Sequence, residues 1–123
     1  MMDAYSAAEL QEALRPIASL MSKSEKAQQK LAPNTWQYVM LQSNLNALRV
    51  ALALMQNDVK ALANCTQADF QDAITAIGTM IGKTQTAQAK FAPGISQYTL
   101  LQNRLKALQM AETLVKAALA DRA

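Results

Sequence analysis

The feature that most constrains the fold is an internal repeat with an offset of 60 residues. Residues 6–57 align with residues 66–117 without a gap, and 19 of the 52 aligned pairs are identical. Both copies contain the pattern Lys-Φ-Ala-Pro-x-x-x-Gln-Tyr, in which Φ is Leu or Phe. We therefore interpret the chain as one domain, 1–123, made of two similar units that span 6–63 and 66–121.

Apolar residues in each unit recur every three or four residues, which indicates amphipathic helices rather than strands. The chain has only three Gly and three Pro residues, too few for the frequent turns of an all-β domain. Ser6 with Glu9, and Thr66 with Asp69, have the spacing of capping boxes, which begin helices. The pattern predicts four helices joined by connections of two to four residues, over 7–31, 35–63, 67–91 and 95–121.

Short connections favour antiparallel neighbours, so we expect an all-α fold, an antiparallel up-down-up-down four-helix bundle built from two tandem helical hairpins. Pro33 and Pro93 end the first and third helices because the residue before proline avoids the α conformation. Pro16 lies inside the first predicted helix and predicts a kink or a break there. Ala76 occupies the corresponding position of the second unit, where no such distortion is expected.

The composition excludes several kinds of catalytic and metal site. The chain has no His and a single Cys, so a Ser-His-Asp triad, a Cys-His pair and a structural zinc site are absent. It has no Gly-rich phosphate loop. Many of its acidic residues fall in first turns of predicted helices, where they complement the helix dipole. We therefore predict a non-enzymatic protein with no catalytic residues, no metal ligands and no cofactor.

The sequence carries no signal for export or membrane insertion. No basic segment followed by an apolar segment begins the chain, and no apolar run approaches the roughly 20 residues that span a bilayer. A single Cys cannot form an intrachain disulfide. We expect a soluble, cytoplasmic protein without a membrane span.

The second and fourth predicted helices carry more apolar residues than one core face requires. Each helix of a bundle contacts two neighbours, so both apolar faces can belong to the core. The alternative is that part of the second face docks another protein or a second copy of the chain, with Trp36 and Met40 as anchors. The candidate partner-binding residues on this face are Trp36, Met40, Val50, Leu54, Leu100 and Met110.

The net charge of +3 conceals an uneven distribution along the expected bundle. The end with both Ala-Pro loops collects seven basic residues and Glu25, for an expected charge of +6, and the opposite end has −4. Helix-dipole complementarity accounts for part of this pattern. The alternative is a surface for an anion or a nucleic acid, with Trp36 nearby for stacking. Its candidate residues are Lys23, Lys26, Lys30, Lys83, Lys90, Arg104 and Lys106.

Polar residues that recur in both units flank the expected core near the Ala-Pro loops. They are Gln28, Gln42 and Tyr38 in the first unit and Gln88, Gln102 and Tyr98 in the second. Such residues either hydrogen-bond loop carbonyls and fix each hairpin, or line a small pocket.

Of the functions left open, we favour a protein-protein interaction or scaffold module. Its partner is unknown, and a homodimer is one form that it can take. A nucleic-acid-associated protein is the alternative, and a bundle that binds a small apolar ligand is the third option.

Overall fold

The computed structural model describes residues 5–122, and within that range it contains α-helices and no strand. The five helices in chain order are α1 (Ala7–Gln29), α2 (Trp36–Met55), α3 (Val59–Ala63), α4 (Gln67–Gln88) and α5 (Ser96–Arg122). None of these helices combines the length and the apolar character that a membrane crossing requires.

The predicted capping boxes are confirmed at the starts of α1 and α4. The Ser6 hydroxyl accepts from the backbone N–H of Glu9 at 3.1 Å, and the Glu9 carboxylate accepts from the backbone N–H of Ser6 at 2.9 Å. Thr66 and Asp69 make the same two bonds at 3.1 and 2.8 Å. Four backbone donors that have no partner within the helices are thereby satisfied.

The prediction of one continuous helix over 35–63 is wrong. The helix ends at Met55, and Asn57 adopts a left-handed conformation with φ of 52°. The N–H of Asp58 donates to the carbonyl of Ala53 at 2.8 Å and the N–H of Asn57 to that of Leu54 at 3.3 Å, which is the Schellman pattern of a helix end. Asp58 then caps α3 through a 3.2 Å bond from the N–H of Ala61.

The corresponding positions of the second unit, Ala117 and Ala118, have no side chain that competes for backbone bonds. This difference explains why α5 continues to Arg122 whereas α2 stops and α3 begins.

The connections that contain Pro33 and Pro93 are longer than the predicted two to four residues. They span 30–35 and 89–95 because α1 and α4 end before the predicted residues, at Gln29 and Gln88. The next residues close tighter turns, in which Leu31 N–H donates to the Gln28 carbonyl and Phe91 N–H to that of Gln88, at 3.1 and 3.0 Å.

Pro16 does not break the first helix. The helix runs through Pro16 from Ala7 to Gln29, so of the expected kink or break the break is excluded. Proline supplies no N–H, so the carbonyl of Glu12 loses the intrahelical bond that it would otherwise accept. Tertiary packing holds this helix, because Ala13 and Ile17 on either side of Pro16 are buried in the core.

One apolar core joins residues from all four long helices. α1 packs against α2 and α5, α4 packs against the same two helices, and α2 also contacts α5. The largest fully buried side chains are Phe70, Ile17, Leu45, Leu48, Ile77, Leu108 and Val115. Because α2 contacts three long helices, most of its circumference is covered along its second half.

Candidate interaction surface

Trp36 is the first residue of α2, and its side chain is 71% exposed. The preceding residue, Thr35, fixes the start of the helix. Its hydroxyl accepts from the Tyr38 N–H at 3.3 Å and donates to the carbonyl of Ala32 at 2.8 Å. Val39, one turn further along α2, is 56% exposed. A large aromatic and a β-branched residue are thus presented to water by a firmly capped helix end.

Met40 extends this apolar surface towards α4. Its side chain is half-buried, and its sulfur lies 3.4 Å from the Nζ atom of Lys83. Lys83 and Lys90 both line a small surface groove on the C-terminal part of α4. We call Trp36, Val39, Met40, Lys83 and Lys90 together the Trp36 surface.

The structure separates the six apolar candidates instead of bringing them together. Val50 and Leu54 are only 8% and 4% exposed and belong to the core. Met110 is half-buried and packs against that core, whereas Leu100 is exposed on α5. Of the predicted set, Trp36 and Leu100 are exposed, whereas Met40 and Met110 are half-buried.

Four exposed apolar residues were absent from the sequence-based candidates for partner binding, namely Val39, Val59, Phe91 and Ile95. Val39 lies three residues after Trp36 and therefore on the same side of the helix. This spacing is visible in the sequence and could have identified Val39 as a candidate. Val59 fits the apolar repeat of an unbroken helix, but the chain turns at Asn57 and exposes it. Its exposure was not predictable from the periodicity.

The seven basic candidates do not form one continuous patch. The six lysines are exposed, whereas Arg104 is half-buried and burial lowers the pKa of its guanidinium. Lys106 lines a groove between α5 and residues 8–18 of α1, which lie away from the Ala-Pro loops. Of all seven, Lys83 contacts the half-buried Met40 of α2, and Lys90 lines the same groove as Lys83.

Each recurrent pair of glutamines connects the two helices of one hairpin. Gln28 donates from its amide to the side-chain oxygen of Gln42 at 2.8 Å, and Gln88 donates to Gln102 at 2.6 Å. Gln28 also lies 3.5 Å from the backbone oxygen of Tyr38. These contacts are between helices rather than to the loop carbonyls that we expected.

The first pair of glutamines continues into a longer network. Gln42 donates to Asn46 at 2.9 Å, Arg49 reaches the same oxygen at 3.4 Å, and Arg49 lies 4.0 Å from Glu25. Within the described range, every buried side-chain nitrogen and oxygen has a hydrogen-bond partner. The glutamines therefore act as structural links between helices.

At the other end of the molecule, Arg122 joins the C-terminus of α5 to the chain around α3. Its guanidinium donates to the carbonyls of Cys65 and Leu62, the latter at 2.6 Å, and lies 4.6 Å from the centre of the Phe70 ring. Burial and, secondarily, the Asp69 carboxylate raise the pKa of the Cys65 thiol, and Arg122 offsets part of this rise. A raised pKa lowers the fraction of reactive thiolate, in agreement with a structural Cys that packs beside the start of α4.

Among residues 5–122, no group of three or more Cys, Asp or Glu side chains is placed to hold a metal ion. Comparison of the chain with models of protein families, with curated proteins and with solved structures gives no match.

Proposed function

We propose that this chain is a non-enzymatic protein-interaction module, built as an antiparallel four-helix bundle from two duplicated hairpins, 6–63 and 66–121. Equivalent contacts in the two units support the duplication, since both capping boxes and both glutamine pairs recur at the 60-residue offset. The contact between Met40 near the start of α2 and Lys83 near the end of α4 supports an antiparallel arrangement, in which both Ala-Pro loops lie at one end.

The exposure of Trp36 carries the proposal. An indole that is 71% exposed buries little apolar surface on folding and so contributes little to stability, and Val39 beside it is 56% exposed. The indole is not needed to fill the core, because apolar side chains from all four long helices already pack there. Exposed Trp residues grouped with other apolar side chains are typical anchors of protein interfaces.

The test is affinity capture from an extract of the source organism, with quantification of the retained proteins. The variant Trp36→Ser/Val39→Ser removes the apolar part of the Trp36 surface. Val59→Ser is the matched control because Val59 is 70% exposed on α3. We expect specific partners to be lost with the double variant and kept with the control. Equal retention by all three proteins would contradict the proposal.

A second copy of the chain is one form that the partner can take. If Trp36 and Val39 pair two copies, light scattering gives a dimer whose dissociation constant rises in the double serine variant. A monomer at high protein concentration excludes this form and leaves a different protein as the partner.

Nucleic-acid binding is the second candidate function because the lysines in the second half of α1 and directly after it are exposed. Lys23, Lys26 and Lys30 make no ion pair within the described residues. Retention on single-stranded RNA or duplex DNA that decreases steeply with added salt would favour this function. Absence of retention at low salt would exclude it.

A further inference from the structure

The Trp36 surface combines apolar and cationic groups in one place. Trp36, Val39 and Met40 follow the spacing of adjacent residues on one side of a helix. The Nζ atom of Lys83 lies 3.4 Å from the sulfur of Met40, so a positive charge is held next to the apolar side chains.

The two lysines of this surface have no acidic partner in the described part of the chain. The ion pairs found there join Arg49 to Glu25 and Lys116 to Glu112. Lys83 lies in the last two turns of α4, Lys90 lies two residues after the end of that helix, and both line the same groove. Their charges are therefore available to carboxylates of another molecule.

Apart from these two lysines, the residues that line the groove are uncharged. They include Gly82 and Thr86, and a Cβ atom added to Gly82 would meet no other atom within 4 Å. The Thr86 hydroxyl donates to the carbonyl of Gly82 at 3.0 Å, so its hydrogen is already committed to its own helix. The groove at Gly82 and Thr86 therefore permits close approach without demanding a specific polar contact.

We infer that the Trp36 surface binds an acidic amphipathic helical segment of another protein, an inference that rests on the proposed function. The apolar side of such a segment would cover Trp36, Val39 and Met40, and its carboxylates would lie near Lys83 and Lys90. Helices commonly dock in this way, with apolar anchors spaced by three or four residues. Charge complementarity favours an acidic segment over a basic one.

A nucleic acid fits this surface less well than a peptide does. The surface has two lysines and no arginine, whereas phosphate recognition depends on dense positive charge. Trp36 is the single stacking plane that this surface offers to a base, whereas the exposed Val39 and the half-buried Met40 beside it suit an aliphatic side chain. Binding of a polyanion is therefore an outcome that the test must distinguish.

The test is selection from a display library of natural peptides of about 16 residues, long enough for four helical turns. The full-length protein serves as bait, and Trp36→Ser is used to identify binders that depend on the surface. We expect the selected peptides to be rich in Asp and Glu, with apolar residues spaced by three or four. Affinities of selected peptides are then measured by fluorescence anisotropy against charge-reversal variants whose folding is checked by circular dichroism.

The decisive comparison uses two variants with the same net charge. Lys83→Glu/Lys90→Glu should weaken binding at least about tenfold. Lys23→Glu/Lys26→Glu on α1, which packs on α2 and α5, should change it less than about threefold. Equal weakening by both variants would indicate non-specific attraction and overturn the inference, as would displacement of the peptide by an equal concentration of single-stranded RNA.

The outcomes separate this inference from the proposed function. Selected peptides that depend on Trp36 but are not acidic would overturn the inference and leave the interaction module intact. If no selected peptide depends on Trp36, both the acidic partner and the Trp36 surface as an interaction site are rejected.

Discussion

At the scale of single residues, Arg122 shows how one side chain serves several local needs. It bonds two carbonyls near the end of α3, where helix carbonyls have no intrahelical partner, and its guanidinium covers the ring of the buried Phe70. These contacts connect the last turn of α5 to the start of α4, which are far apart in sequence. The distribution of charge along the sequence does not reveal these contacts.

Replacing Arg122 by Ala should lower the free energy of unfolding by about 1 kcal/mol, because an exposed cation–π contact and two partly exposed hydrogen bonds are lost. Arg122→Lys should recover less than half of this, since an ammonium cannot bond both carbonyls while stacking on the ring. Urea denaturation measures both. The control is Lys116→Ala, which removes an exposed ion pair of about 0.5 kcal/mol or less. A loss at Arg122 no larger than that of the control would contradict this role.

At the scale of the helices, the two units differ where their capping residues differ. Thr35 caps α2, but Ile95 occupies the corresponding position before α5 and has no oxygen that accepts a bond. Likewise, Asn57 and Asp58 end α2 and begin α3, whereas two alanines let α5 continue. Single residues therefore decide where otherwise similar helices begin and end.

Ile95→Thr should raise the free energy of unfolding by roughly 0.5–1 kcal/mol by giving α5 the cap that α2 has. Ile95 is 43% exposed, so the substitution sacrifices little burial. The reciprocal variant, Thr35→Ile, should destabilise the protein by about 1 kcal/mol. Urea midpoints report both changes, and no gain at Ile95 would mean that α5 is capped by another group.

Asn57→Ala should destabilise the protein by about 1 kcal/mol because a Cβ-bearing residue without a polar side chain resists the left-handed conformation. Asn57→Gly adopts this conformation without that penalty, so its stability should equal or exceed that of the parent chain. Thermal unfolding followed by circular dichroism compares the two variants. If Ala and Gly behave alike, the left-handed turn does not contribute to stability.

At the scale of the whole molecule, the spacing of apolar residues predicted the helices but not which of their residues are buried by neighbouring helices. The capping boxes, the all-α fold class and the first residues of most helices follow from local sequence patterns. The burial of Val50 and Leu54 does not, because it depends on α2 contacting three long helices at once. The exposure of Val59 depends on one left-handed residue two positions earlier.

The Trp36 surface shows the same division between local and tertiary information. Trp36 and Met40 were identified from their surplus apolar character, and Lys83 and Lys90 from charge. Their combination on one surface required the α2–α4 packing that places Met40 against Lys83. Contacts between residues more than 40 positions apart are set by the tertiary fold, and no pattern within either helix specifies them.

The shared core predicts that the two halves of the chain unfold together. Phe70 is 1% exposed and packs in a cluster that also contains Ile17 of α1, Leu48 of α2 and Leu108 of α5. Phe70→Ala should therefore lower the free energy of unfolding by about 3–5 kcal/mol, a large part of the 5–15 kcal/mol typical of a domain. Hydrogen exchange should show a loss of protection in α2 as large as that in α4. Val59→Ala, at an exposed site, is the control and should leave protection within about 0.5 kcal/mol of the parent value. If α1 and α2 keep their protection while α4 and α5 lose it, the hairpins are separate cooperative units and the common core does not couple them.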